Sequence, residues 1–380
     1  MVRLTALGGV LMAAALSAAF PSPSHAATGG LSSIYQQILA QPDNIELNLQ
    51  YAREAEAAGK PRWALAAYER ILLVHPNNAE AKVGQARIRR ELTPDRTSFE
   101  TRFAVAFESN PRLMSPASPS GGEVNGWGRI SMTDERHLGD TMWRSYGLLF
   151  GTLHGVASEL NYGYASFVTG PLIDGAGFTL HPTIGGGVAA FQGQYYFGEA
   201  LAALGIEGNF NGALQTARLR VGYRSYNSFF PADQGPFVDL TGRLTKPDFI
   251  GTGGTLTIAP WVRWSGIEGT GFDIDSDPVE PGRYTEVGGR AEFVQPVTDR
   301  VALAANVEVN SRWYATDLDS SFACCRQDFR VAPGAAVIVK NAFSYGNDVR
   351  LDYQYVSNTS TDTTHSYNDH IVTLQLINRY

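Results

Sequence analysis

The stretch ALQTARLRVGYRSY, residues 213–226, decides the architecture. Within it Ala217, Leu219, Val221 and Tyr223 alternate with Arg218, Arg220 and Arg224. Side chains two apart on a β-strand share a face, so this segment has an apolar face and a guanidinium face. The same period of two returns further along. In 300–313, Leu303, Ala305, Val307 and Val309 oppose Asn306, Glu308, Asn310 and Arg312. In 345–357, Leu351, Tyr353 and Tyr355 oppose Arg350, Asp352 and Gln354. In 235–246, Val238, Leu240 and Leu244 oppose Asp239 and Arg243.

Composition agrees with many short strands joined by tight turns. The 380 residues include 40 Gly, 17 Tyr, 19 Phe and 6 Trp, with only 5 Met and 2 Cys. A net charge of −7 excludes a nucleic-acid partner held by overall positive charge. Two cysteines cannot staple a disulfide-dense scaffold.

From Thr97 onward the pattern predicts fourteen strands, at 97–108, 123–134, 141–153, 156–168, 181–196, 200–210, 213–226, 235–246, 253–267, 284–295, 300–313, 327–341, 345–357 and 366–380. Alternation alone fits a soluble sandwich, with charges in water, or a transmembrane barrel, with charges facing a wet lumen. Three features favour the barrel. The strand count is even and every connection reads as a hairpin. The connections also alternate in length, 64 residues on one side against 33 on the other, which is the outer-membrane pattern of long outside loops and short periplasmic turns. The exception is a long inward turn at 169–180. Finally, the chain ends on Tyr380, with Val372, Leu374 and Leu376 on the same face. Such a terminal strand resembles the signal that barrel-insertion machinery reads, although Asn378 stands where a hydrophobe is usual. Trp127, Trp143, Trp264, Trp313, Tyr226 and Tyr314 are candidates for aromatic girdles.

Residues 1–26 have the layout of a secretory signal peptide. Arg3 precedes an uncharged run from Leu4 to Phe20, then two prolines and Ser24-His25-Ala26. Residues 27–95 read as a helical domain, and 96–380 as the barrel. In the helical segment Gly nearly vanishes, and Pro42-Asp43-Asn44 returns as Pro76-Asn77-Asn78. A period of about 34 residues is the tetratricopeptide spacing. Gly59 falls at the inter-helix turn, Ala64 at the tight crossing, and Tyr68, Leu72 and Pro76 complete the repeat's packing positions. The fold class expected is thus α+β: a short tetratricopeptide-like arm followed by an antiparallel transmembrane β-barrel of about fourteen strands.

The residues Ala64, Tyr68 and Pro76-Asn77-Asn78, with the closing strand pair Asp352–Asn358 and Tyr367–Val372, resemble the surface lipoprotein assembly modifier (Slam) family. That resemblance implies an outer-membrane barrel that helps a protein or lipoprotein client reach the cell surface, with the helices in the periplasm. The arm here is much shorter than that family's. The layout is also similar to exopolysaccharide export porins, which gives the alternative of a polysaccharide or solute pore.

No catalytic residues are expected, and no cofactor or metal site: G-x-S-x-G, P-loop and H-E-x-x-H motifs are missing. Asp273, Asp275 and Asp277 lack the Gly and Glu of a calcium loop. Adjacent Cys324 and Cys325 could close a vicinal disulfide. The lumen-lining candidates are Arg218, Arg220, Arg224, Asp239, Arg243, Glu308 and Arg312, with Asp239 or Glu207 as partners for the basic row. The expected partners are outer-membrane lipid, the barrel-insertion machinery through Tyr380, and a protein or lipoprotein client.

Overall fold

The computed structural model describes residues 26–117, 121–139, 141–175, 177–229, 234–267, 282–315 and 325–380. Residues 1–25 of the proposed signal segment and the three aspartates of 273–277 lie outside them. The chain forms two compact units that divide between Pro94 and Asp95.

The first unit holds four helices, α1 (Ala26–Ala40), α2 (Ile45–Ala57), α3 (Pro61–Val74) and α4 (Ala79–Leu92), each packed on the next. Their ends follow from sequence. Asn44 and Asn78 cap α2 and α4, accepting hydrogen bonds from the backbone N–H of Leu47 at 3.2 Å and Ala81 at 2.9 Å. Pro61 opens α3, and Gly59 turns the chain after α2 with φ 65°. Leu31, Ile38, Leu49, Ala64, Tyr68, Ile71 and Ile88 are buried between the helices, with Leu72 partly buried against them. The Tyr68 ring lies on Gly84 of α4, where a Cβ would come within 2.3 Å of the ring. Its hydroxyl donates to Glu56 at 2.7 Å. Gly59 and Pro76 are exposed turn residues, so they shape the connections and do not pack. No described helix is long and apolar enough to cross a membrane, which says nothing of strands.

The second unit is a closed antiparallel barrel. Among the described residues its long strands number fourteen: β1 (Arg96–Glu108), β2 (Glu123–Leu138), β3 (Thr141–His154), β4 (Tyr162–Pro171), β6 (Phe178–Phe191), β7 (Gln194–Phe210), β8 (Ala213–Tyr226), β9 (Gln234–Lys246), β10 (Thr255–Ile267), β11 (Gly282–Pro296), β12 (Val301–Tyr314), β13 (Gln327–Val339), β14 (Asn347–Ser360) and β15 (Tyr367–Arg379). A two-residue strand, β5 (Ile173–Asp174), pairs only with β6. Each long strand pairs with its sequence neighbours, β4 with β6, and β1 with β15, so the sheet has no free edge.

The faces sort as the sequence predicts. Leu219, Val307 and Tyr353 are 42%, 39% and 46% exposed on the outside, while Arg224 and Glu286 are fully buried within. An apolar exterior around a charged interior is the arrangement of a barrel in lipid.

Two strand placements differ from the sequence reading, each for its own reason. A register shift at Ala189/Ala190 breaks the alternation, so Tyr196 and Phe197, adjacent in sequence, are both buried. The hairpin predicted at 197–199 lies instead at Gln192-Gly193, where both φ angles are positive (53° and 73°), as a primed turn requires. The chain from 155 to 161 forms a short 3₁₀ turn, and β4 starts at Tyr162 rather than at 156. The long inward turn of 169–180 disappears, because β4 runs to Pro171 and β5 continues the ribbon. The girdle expectation also splits. Trp264 and Trp313 are exposed outside, but Tyr226 and Tyr314 are buried and Trp127 lines an internal cavity.

Candidate lumen site

Cross-strand register builds the site. On the inner wall Arg220 faces Asp239, Asp239 faces Arg263, Arg263 faces Glu286, and Glu286 faces Arg312, each as direct partners on adjoining strands from β8 to β12. The side chains follow the backbone. Arg263 reaches Asp239 at 3.4 Å and Glu286 at 3.0 Å, and Arg312 reaches Glu286 at 2.7 Å. Trp261 Nε1 donates to the same Glu286 at 2.5 Å. Arg220 stands further from Asp239, at 3.9 Å. Direct cross-strand opposition of unlike charges stabilises a sheet pair, and here it repeats around five strands.

Beside this row Arg224 meets Glu199 of β7 at 2.8 Å, with the Tyr164 hydroxyl donating to Glu199 at 2.6 Å. The Arg224 guanidinium sits 4.0 Å from the centroid of the Phe197 ring, a cation–π contact. Glu199, Glu286 and Arg263 were not singled out by sequence reading. For Glu286 and Arg263 the available signal was their placement directly opposite a charge of the other sign on an adjacent predicted strand; Glu199 fell in the hairpin predicted at 197–199, which hid it. Glu207 does not serve the basic row; it accepts from Arg144 at 2.9 Å. Glu308 pairs with Arg330 at 3.2 Å.

Two cavities of the lumen are lined by candidate residues. One, of about 970 Å³, lies among Arg243, Arg290, Glu292, Lys340, Asp348, Arg350 and Arg379. Its carboxylates are taken up in ion pairs: Arg350 lies 2.8 Å from Glu292, and Arg379 lies 2.7 Å from Asp348. The other, of about 930 Å³, is lined by Arg102, Arg129, Arg218 and Arg220 and by a wall of Trp127, Phe150 and Tyr164. So Arg218 and Arg220 share one cavity and Arg243 belongs to the other. Arg224, Asp239, Glu308 and Arg312 line neither.

The segment after β1 reaches toward the second cavity, where Pro111 and Leu113 join its lining. It is fastened at both sides. Asp369 accepts from Ser109 Oγ and from the backbone N–H of Asn110, each at 2.8 Å, and Arg112 pairs with Glu159 at 2.6 Å. Glu123, buried, binds His154 and also accepts from the backbone N–H of Ala157 at 2.7 Å. Cys325 is disulfide-bonded, and Cys324 lies outside the described residues. Among the described residues no three His, Cys, Asp or Glu side chains gather to hold a metal.

No family model and no curated protein matches the chain. Among solved structures, the outer membrane channel DcaP of Acinetobacter baumannii is similar at 10% identity, covering 75% of this chain and 97% of that one, with a TM-score of 0.42. A loop-deletion form of OmpT, an outer membrane protein of Vibrio cholerae, gives 10% identity, 75% and 99% coverage, and 0.41. A BenF-like porin from Pseudomonas fluorescens gives 9%, 76% and 99%, and 0.39.

Proposed function

We propose that the barrel sits in an outer membrane and conducts small solutes, with the helical unit on the periplasmic side. The observation that carries this reading is the inversion of the barrel: oily side chains outside, and charges around two internal cavities inside. A lipid-facing surface of Leu, Val and Phe is what a bilayer demands, and a charged interior is what a hydrated path requires. Strands β1 and β15 place both barrel termini at the end bearing the short turns, the end that faces the periplasm in such barrels. The test is single-channel recording. The full chain, folded in detergent and added to planar bilayers, is expected to give discrete conductance steps whose anion-to-cation preference shifts when Arg220→Glu is introduced. A folded, inserted barrel that carries no current overturns the reading.

A second reading, assistance to a surface-displayed lipoprotein client, is favoured by one feature. The helical unit exposes Trp63, Leu73 and Val83, apolar side chains of the kind that dock a partner. A deletion strain that keeps its full set of surface-labelled lipoproteins would count against it. The tetratricopeptide character of the arm belongs to this reading as well.

A further inference from the structure

We propose that the cavity of about 930 Å³ is a binding subsite for an organic carboxylate, a carboxyl group carried on an apolar ring. This deepens the channel reading, on which it rests for the solute's route to the cavity.

The argument begins with charge pairing. Arg144, Arg224, Arg263, Arg312, Arg350 and Arg379 each have a carboxylate at 3.0 Å or closer. Around this cavity the pattern breaks. Four arginines line it, Arg102, Arg129, Arg218 and Arg220, against one carboxylate, Glu108, which is already taken by Asn125 at 2.6 Å. Arg102 pairs with Glu100 at 2.8 Å. Arg129 and Arg218 have no ion-pair partner among the described residues. Arg220 is 3.9 Å from Asp239, and its buried Nε and Nη2 meet no hydrogen-bond acceptor there.

The backbone makes this arrangement costly. Arg102 and Arg129 are direct cross-strand partners on β1 and β2. Like charges in that position destabilise a strand pair. Arg218 and Arg220 project from β8, five strands further around the ring than β2. Guanidiniums thus approach the cavity from two well-separated walls. An anion between them would relieve both repulsions, and the planar forks match the two oxygens of a carboxylate.

The rest of the lining sets the body of the ligand. Trp127 and Phe150 lie side by side with ring centroids 6.4 Å apart. A bare inorganic anion would leave this wall unused. An aromatic or alicyclic ring would cover it and gain contact area. Polar head and apolar body together fit a cavity of this size.

Isothermal titration calorimetry on the full chain folded in detergent tests the site, with benzoate, benzamide and sulfate as titrants. Benzoate is expected to bind, with benzamide and sulfate each at least about tenfold weaker. Arg129→Gln and Arg218→Gln should each weaken benzoate about tenfold, and Arg218→Lys by less, while Arg62→Gln on α3 leaves it unchanged. Equal affinity for benzamide, or for sulfate, overturns the proposal, and these two titrations need no variant. Benzoate binding that survives both glutamine substitutions also overturns it. A barrel that conducts but binds no benzoate removes this site and leaves the channel; one that binds benzoate but never conducts does the reverse.

Discussion

At the scale of single residues, burial decides how much each charge matters. Glu286 is fully buried and holds Arg263, Arg312 and Trp261 at once. Glu286→Gln takes the buried counter-charge away from Arg312 and leaves Arg263 with Asp239 at 3.4 Å, and breaking such a buried pair from one side costs about 3 kcal/mol or more. Glu308→Gln removes a carboxylate that meets Arg330 in a more open part of the wall, where a pair is worth less than about 1 kcal/mol. Thermal unfolding in detergent should therefore separate the two variants clearly, with Glu286→Gln melting far lower. Equal melting points would show that lumen water screens both sites alike. A different test applies to Tyr68 in the helical unit. Burial, then the hydrogen bond to Glu56, pushes its phenol from the ordinary 10.0 up to about 12. A raised folded-state value means that the neutral phenol is favoured by folding. Its contribution is whole below pH 10, and is lost as pH climbs toward 12. Tyr68→Phe, which removes the bond at a cost of about 1 kcal/mol, should flatten the fall in helical circular dichroism across that window.

At the scale of elements, closure of the barrel depends on its last strand. Tyr380 exchanges two backbone hydrogen bonds with Phe99, at 2.9 and 3.2 Å, beyond the end of the β1–β15 ladder. Asn378, which looked out of place among hydrophobes, donates to Thr101 at 3.1 Å and also bonds Asn347, so it links three strands across the seam. Deleting Tyr380 should lower the yield of heat-modifiable barrel on refolding into micelles, while Tyr380→Ala, which keeps both backbone bonds, should refold normally. If Tyr380→Ala still fails in cells, its side chain is serving recognition during insertion and not closure. Most elements were legible in sequence because alternation survives wherever a strand is regular. Strand 213–226 was placed at both ends, and Gly59 at its turn. The error at β6 and β7 arose where a bulge buried two neighbours in succession, Tyr196 and Phe197, and a period-two reading cannot follow such a slip. The site was half legible for a related reason. Arg218 and Arg220 announce themselves within β8 and Asp239 within β9, but their grouping depends on register between strands. The pairing of Arg102 with Arg129 is a fact of register, and the claim of Arg144 on Glu207 reaches between strands that are not neighbours, β3 and β7.

At the scale of the whole molecule, the barrel is a soluble protein turned inside out, and its energetics should show the same inversion. In a water-soluble barrel, an arginine added to the outside would cost little and one added to the inside a great deal. Here Leu219 lies mid-strand on the outer face, and Ala259 faces the cavity of about 970 Å³. Leu219→Arg carries a charge into hydrocarbon, at a cost of about 2–4 kcal/mol near the bilayer midplane. Ala259→Glu places a charge directly opposite Arg290, in a space also lined by Arg243 and Lys340, where room and counter-charge both exist. Reversible unfolding from lipid vesicles should show a large loss for the first variant and a small one for the second. Varying lipid thickness sharpens the comparison: a thinner bilayer brings position 219 nearer the interface, so its penalty should shrink, while that at 259 should not move. An opposite ranking would mean that the apolar face meets other protein surface and not lipid, and the channel reading would go with it.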